Sequence, residues 1–198
     1  MAPSLETSQP VAESISGHGE IDKTIEQLDE ILDSTNEKVT GPAYGGPTQL
    51  LPTLFLGNEM QARNTARLRA LGVTHIINVA SGYIATSQDY YGRSFNYLGI
   101  PCEDTEDFDI LTAFEKCKEH YYDAKNKGGA ALVHCIMGIN RSGFCAVALV
   151  ALEMDVDILQ AAAYVHERRA NLLSNHGFRR QLVVWAAKEG KLPQWCVV

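Results

Sequence analysis

Apolar residues recur along this chain in two regular ways, and each predicts a different kind of element. Short, almost continuous apolar runs predict buried strands, at 54–56, 74–80, 95–100 and 130–134. Longer segments with apolar residues three and four positions apart predict helices, at 59–71, 110–126, 141–154, 157–169 and 177–188. Strands that alternate with helices predict a single α/β layered domain with a central, mostly parallel sheet flanked by helices.

The predicted helix over 141–154 has almost no polar face, so we expect it to be central and buried. It follows the wholly apolar strand over 130–134, which ends in His134. Ligands of parallel sheets gather at the carboxyl ends of the strands. The loop between this strand and this helix is therefore the predicted position of a ligand-binding site.

The amino-terminal part of the chain has a different composition. Residues 1–18 are rich in Ser, Pro, Glu and Gly and are predicted to be disordered. Four apolar residues at helical spacing then predict an amphipathic helix over 20–33. We favour packing of this helix on the domain, with docking or dimerisation as the alternative. The chain divides into a disordered terminus (1–18), a helix with its linker (19–46) and a folded domain (47–198).

Composition narrows the class of protein. The net charge of −7 argues against a nucleic-acid partner, which usually selects a basic protein. The longest apolar stretch has about nine residues, whereas a membrane span needs roughly 20. Five cysteines without a CxxC pair argue against a zinc site or a disulfide framework. No secretory signal is recognised at the amino terminus, so we expect the cytosol, the nucleus or both.

The loop after the central strand has the features of an anion cradle. Residues 133–143 read Val-His-Cys-Ile-Met-Gly-Ile-Asn-Arg-Ser-Gly. A helix amino terminus presents unpaired N–H groups and the positive end of the helix dipole. The six-residue step from Cys135 to Arg141 can wrap around one tetrahedral oxyanion, with Gly138 supplying the backbone freedom. Arg141 can then grip two phosphate oxygens at once.

The position of Cys135 at the base of this cradle predicts a reactive thiolate, because a positive environment favours the ionised form of a thiol. Ser142 can donate to the sulfur, and His134 can orient the loop by hydrogen bonds. Cys117 and Cys145, in contrast, lie on predicted buried helix faces and are expected to be inert core residues.

The pattern His-Cys-x5-Arg-Ser over 134–142 resembles the signature of the cysteine-based protein tyrosine phosphatase superfamily. Further segments resemble dual-specificity phosphatases, at 52–58, 74–80, 97–104 and 175–182. The resemblance covers about residues 47–190 and is greatest to the small atypical group, which lacks a separate kinase-docking domain. It implies that Cys135 forms a phosphocysteine intermediate, and that neither a metal nor another cofactor is needed.

Composition alone cannot choose the general acid among the carboxylates that follow Pro101. The resemblance selects Asp104, with Asp107 and Asp109 as competitors. In the implied mechanism, Asp104 protonates the leaving oxygen and then activates a water molecule. Arg141 and the loop N–H groups stabilise the phosphoryl oxygens; the loop residues are Ile136, Met137, Gly138, Ile139, Asn140 and Arg141.

The loop departs from the family pattern at Met137 and at Asn140, which replaces a serine, and Ser174 stands where many relatives have proline. We expect these changes to alter loop hydrogen bonding or substrate choice. Asn78 is either a supporting partner of the loop or purely structural. Arg169, in a basic cluster with Arg168, Arg179 and Arg180, is a candidate contact at the substrate rim.

The predicted function is removal of phosphate from phosphotyrosine and from phosphoserine or phosphothreonine in proteins. MAP kinases are suggested as substrates by resemblance alone, and a homodimer is an open alternative; no nucleic acid or membrane is expected as a partner. A phosphoinositide phosphatase is the first rival, although residues 136–140 carry no charge for extra phosphates. A non-catalytic phosphoprotein-binding module is the second, although Cys135, Asp104 and Arg141 are all present.

Overall fold

A computed structural model describes residues 12–34 and 45–195, with the backbone alone described for 12–18. The strands are β1 Thr48–Leu51, β2 Leu54–Gly57, β3 Val73–Asn78, β4 Asn96–Gly99 and β5 Ala130–His134. The helices are α1 Ala12–Asp33, α2 Glu59–Arg63, α3 Thr65–Ala70, α4 Gln88–Tyr91, α5 Ile110–Asn126, α6 Arg141–Met154, α7 Ile158–His166 and α8 His176–Lys188.

The strands form one sheet in the order β1-β2-β5-β3-β4. β2, β5, β3 and β4 run parallel, and β1 is antiparallel to β2 at the edge. This confirms the predicted α/β fold with a mostly parallel sheet. His134 at the end of β5 is in register with Gly57 of β2 and with Asn78 of β3. The segments that follow these three strands therefore meet at one edge of the sheet.

The core lies around β5 and α6. Every residue of β5 is buried, and α6 is buried from Arg141 to Ala151. Phe144 of α6 makes edge-to-face contacts with Phe114 of α5 and Phe178 of α8. The prediction of a central helix without a polar face is confirmed, and the loop between β5 and α6 is held at both ends by the core.

Two predicted elements differ from the structure. The helix predicted over 59–71 is two helices, because Asn64 leaves the helical conformation and its side chain caps α3 by accepting from Arg67 N at 3.0 Å. The loop predicted over 81–94 contains the short helix α4, which Ser87 caps.

Helix α1 is longer than predicted, since it begins at Ala12 instead of residue 20. Residues 12–18, part of the segment predicted to be disordered, have helical backbone; residues 1–11, 35–44 and 196–198 lie outside the described residues. Leu28 and Leu32 are buried, and α1 packs against α7 and α8. Packing on the domain is thus confirmed. None of the described helices has the length and apolarity to cross a bilayer.

Candidate active site

The loop between β5 and α6 turns at Gly138, whose φ is +70°. A Cβ atom there would lie 2.5 Å from the Gly57 carbonyl oxygen and 2.3 Å from Arg169 Nη2. Both the left-handed backbone and this lack of space require glycine. The loop is also tied to β2 and α2, because Glu59 N donates to the Ile136 carbonyl at 3.1 Å.

Cys135 lies at the base of the loop, with 1% of its surface exposed. Its Sγ accepts a hydrogen bond from the backbone N–H of Gly138 and one from Ser142 Oγ, both at 3.2 Å. Donors aimed at the sulfur stabilise negative charge on it. The structure thus brings Cys135 and Ser142 together as the sequence predicted.

Arg141 begins α6 and is 5% exposed. Its Nη1 donates to the carbonyl of Cys102 at 3.2 Å. Its Nε lies 3.5 Å from Asp104 Oδ2, an ion-pair contact without hydrogen-bond geometry. The centroid of the exposed Tyr83 ring is 5.5 Å from the guanidinium carbon. Sequence reasoning missed Tyr83, which lies in a polar loop without a local signal.

Asp104 is the carboxylate placed beside Arg141. Its Oδ1 accepts from Asn175 Nδ2 at 3.1 Å. Asp109 instead caps α5 by accepting from the N–H groups of Leu111 and Thr112, and these bonds together with the Thr112 hydroxyl lower the pKa of its carboxyl. This arrangement favours Asp104 over Asp109 as a general acid, and Asp107 is exposed without a described contact to Arg141.

Arg169 does not lie at the substrate rim. It is 9% exposed, and Nε and Nη2 donate to the carbonyls of Gly138 and Met137 at 2.8 and 3.2 Å. Its Nη1 reaches Thr48 Oγ1 at 3.4 Å. Because these two carbonyls point toward Arg169, N–H groups of the loop can point to its opposite face. Burial lowers the pKa of the Arg169 guanidinium. The role of Arg169 is to hold the loop in place through its hydrogen bonds to the two loop carbonyls.

The other arginines of the predicted basic cluster each have different partners. Arg168 donates to the Tyr164 carbonyl and stacks on its ring. Arg180 pairs with Glu106 at 3.0 Å. Arg179 is buried and pairs with the carboxylates of α1.

Two departures from the family pattern contact each other. The side-chain oxygen of Asn140 accepts from Ser174 Oγ and from the backbone N–H of Asn175, both at 3.1 Å. Both departures thus take part in hydrogen bonds that involve the loop. Sequence reasoning missed this pairing, because 34 positions separate Asn140 from Ser174.

His134 and Asn78, which end neighbouring strands, have different roles. His134 is fully buried with Nδ1 3.4 Å from the Cys135 carbonyl, and burial lowers its pKa to about 4, so the ring is neutral at pH 7. Asn78 donates to Thr86 and Tyr97 and accepts from Ala80 N. It stabilises the turn after β3, which favours the purely structural alternative, because these described hydrogen bonds of its side chain do not reach the loop after β5.

Cys102, Cys117 and Cys145 are buried. Burial raises the pKa of the Cys102 thiol to about 12, so this thiol is a poor nucleophile at neutral pH. Hydrogen bonding with Cys117, then burial, raises the pKa of Cys145. Within residues 12–34 and 45–195 no group of three or more His, Cys, Asp or Glu side chains is arranged to hold a metal ion.

A buried strand, a loop with a thiol at its base and a helix that begins with arginine define the class of cysteine-based phosphatases. The model of the dual specificity phosphatase catalytic domain matches residues 54–188. The chain therefore belongs to the dual specificity phosphatase family.

The relatives agree with this assignment. Human dual specificity protein phosphatase 26 is 33% identical over 137 residues, which cover 68% of this chain and 64% of that protein. The chain thus spans a little under two thirds of that relative's length. The crystal structure of DUSP15 has a TM-score of 0.65 and 31% identity and covers 73% of this chain and 91% of that one. The human tyrosine phosphatase-like serine/threonine/tyrosine-interacting protein also has a TM-score of 0.65, with 30% identity and 73% and 97% coverage.

Proposed function

We propose that this protein hydrolyses phosphate esters of tyrosine and of serine or threonine in protein substrates through a phosphocysteine on Cys135. The observation that carries the proposal is the placement of Cys135 Sγ 3.2 Å from both Gly138 N and Ser142 Oγ, at the base of a loop that Arg141 closes. An oxyanion in this loop would meet the amino terminus of α6.

In the first step, the Cys135 thiolate attacks phosphorus, so an S–P bond forms while the P–O bond to the side chain breaks. Asp104 gives its proton to the departing oxygen. Arg141 and the loop N–H groups stabilise the charge on the three equatorial oxygens. The Asn175 amide, 3.1 Å from Asp104 Oδ1, orients the acid for this transfer.

In the second step, the ionised Asp104 takes a proton from water, which attacks phosphorus and releases inorganic phosphate. The S–P bond breaks with its electron pair on sulfur. Ser142 Oγ, 3.2 Å from Sγ, then stabilises the departing thiolate by donating a hydrogen bond.

Proteins are favoured over phosphoinositides as substrates by the lack of spare cations at the loop. Residues 136–140 carry no charged side chain, and the guanidinium of Arg169 is buried against loop carbonyls. A polyphosphorylated head group would therefore leave its extra phosphates unpaired. MAP kinases are proposed among the substrates, in the cytosol, the nucleus or both, on the resemblance stated above.

The proposal is tested by hydrolysis of p-nitrophenyl phosphate in the presence of a metal chelator. We expect turnover that Cys135→Ser abolishes and that Asp104→Ala lowers by roughly 100-fold or more. Cys117→Ser is the matched control, because it removes another buried thiol outside the loop and should retain activity. A folded wild-type protein without turnover would instead favour a phosphoprotein-binding role.

Substrate class is tested separately with phosphotyrosyl and phosphothreonyl peptides against phosphoinositides. Release of inorganic phosphate from the peptides and not from the lipids is expected. Preferential release from the lipids would overturn the assignment to protein substrates.

A further inference from the structure

Leu173 has a backbone conformation that its side chain disfavours. Its φ is +53°, in the left-handed region that glycine adopts readily and other residues adopt with strain. The side chain is fully buried. Strained residues persist where their surroundings hold them, and they cluster at functional sites.

Two hydrogen bonds hold Leu173 in this conformation. Its N–H donates to the carbonyl of Ile139 at 3.2 Å. Ile139 lies in the phosphate loop, residues 135–141, which follow β5 and end at the first residue of α6. Its carbonyl accepts from Arg179 Nε at 2.5 Å. The strained residue thus links the loop on one side to α8 on the other.

Arg179 is in turn held by α1. It is 2% exposed, and its two terminal nitrogens donate to Asp29 Oδ1 and Asp33 Oδ1, both at 2.7 Å. All three guanidinium nitrogens are therefore occupied by α1 and by Leu173. A buried guanidinium with charge-assisted partners is held in one orientation.

The residues that follow Leu173 contact the rest of the site. Ser174 Oγ and Asn175 N donate to Asn140, and Asn175 Nδ2 donates to Asp104. A shift of the segment 173–175 would therefore move the phosphate loop and the acid together.

We propose that Arg179, anchored by Asp29 and Asp33 of α1, is a positioning residue for the phosphate loop and the general acid. It fixes Leu173 in its left-handed conformation, and Leu173 fixes Ile139. Helix α1 is thereby part of the catalytic scaffold, and it acts on the loop through Arg179 and Leu173. This inference rests on the proposed phosphatase function.

The first test replaces Arg179 by methionine, which fills similar volume without the polar contacts. We expect Arg179→Met to lower kcat/KM for p-nitrophenyl phosphate by about tenfold, and to weaken inhibition by orthovanadate similarly, because the oxyanion cradle is misplaced. Asp29→Asn with Asp33→Asn should change both in the same direction. Lys125→Met, which removes an ion pair between α5 and α6, is the matched control and should retain wild-type values.

The second test separates positioning from stability. Leu173→Gly added to Arg179→Met should restore kcat/KM to within about twofold of the wild type, because glycine adopts the left-handed conformation without help. Leu173→Ala added in the same way should not restore it. Wild-type kcat/KM in Arg179→Met, or a loss that glycine leaves unchanged, would overturn the proposal.

Amide hydrogen exchange gives a readout that does not depend on turnover. Exchange over 136–143 should become faster in Arg179→Met and slow again in the double variant with Leu173→Gly. Unchanged exchange in Arg179→Met would overturn the positioning role even in an active enzyme. Absence of turnover in the wild type, with exchange changed as expected, would overturn the proposed function alone.

Discussion

At the scale of single residues, Gly138 of the phosphate loop has no room for a side chain. Gly138→Ala should lower kcat/KM by more than about 100-fold, because the new Cβ would collide with the Gly57 carbonyl and with Arg169. Gly128 is the matched control, since its φ of +72° is similar but nothing lies within 4 Å of the position that a new methyl group would take.

Gly128→Ala should therefore keep full activity and lose only about 1–2 kcal/mol of stability from the left-handed backbone. Steady-state kinetics and urea unfolding measure the two effects. Equal kinetic losses in both variants would contradict the steric explanation, because they would point to the backbone angle alone.

His134 makes the stability of the fold depend on pH. Its pKa is about 4 in the folded protein, against an ordinary value of 6.5, because burial disfavours the charged ring. As the pH falls through 6.5 the unfolded chain binds a proton that the folded protein does not. The free energy of unfolding should thus decrease between about pH 6.5 and 4, by up to roughly 3 kcal/mol.

Urea unfolding at pH 7, 5.5 and 4.5 measures this slope. His134→Gln should flatten it, leaving the smaller contribution of His120, whose pKa burial also lowers. The lowered carboxyl pKa of Asp33 lies below this window and does not contribute to it. An identical slope in wild type and His134→Gln would show that another group is responsible.

At the scale of elements, the first turn of α8 packs closely against the loop between β4 and α5 that carries Asp104. A Cβ atom on Gly177 would lie 2.0 Å from the Glu106 carbonyl oxygen. Gly177→Ala should therefore displace the loop that carries Asp104. If Asp104 protonates the leaving group as proposed, kcat should fall roughly tenfold more for phenyl phosphate than for p-nitrophenyl phosphate, whose leaving group needs less help.

The ratio of the two rates is the measurement, and it is insensitive to the amount of folded enzyme. Gly19→Ala is the matched control, because Gly19 is a helical glycine with nothing within 4 Å of its Cβ position. It should leave the ratio unchanged. Equal losses on both substrates in Gly177→Ala would indicate damage to the phosphate loop instead.

The elements with strong periodicity could be predicted from the sequence. The predicted bounds of α5 and α6 match the structure, because buried positions recur at helical spacing along α5 and α6 is apolar over several turns. The break at Asn64 could not be predicted from periodicity, since apolar spacing continues across it while the side chain caps a second helix. β1 was not predicted, because it is a four-residue edge strand.

The residues of the site also differ in whether the sequence alone could predict them. Cys135, Arg141 and Ser142 lie within one short segment, so their spacing predicts the cradle. The roles of Arg169 and Asn175 depend on contacts with residues more than 30 positions away, and no local pattern encodes them. Asp104 is intermediate, because its neighbours along the chain are also acidic. The family resemblance selects it, and its contact with Arg141 then distinguishes it from those neighbours.

At the scale of the whole molecule, α1 is part of the core of the domain. Leu28 of α1 is fully buried where α1 packs against α7 and α8. Leu28→Ala should lower the free energy of unfolding by about 2–4 kcal/mol. Glu30→Ala, on the exposed side of the same helix, is the control and should change it by less than about 0.5 kcal/mol.

Denaturant unfolding followed by circular dichroism measures both variants. A single transition that shifts as a unit in Leu28→Ala is expected, because α1 and the domain share one core. A separate early transition for the helix would contradict this, since it would mean that α1 folds independently of α7 and α8.

The packing of α1 on α7 and α8 also orders events during synthesis. The ribosome makes α1 before α7 and α8, and these helices, which cover Leu28 and Leu32, follow more than a hundred residues later. At ~5–20 residues per second, the nascent helix waits roughly 6–25 seconds for the first of its partners. If α1 anchors Arg179 as proposed, the phosphate loop reaches its full activity only at the end of that interval, when α8 packs against α1.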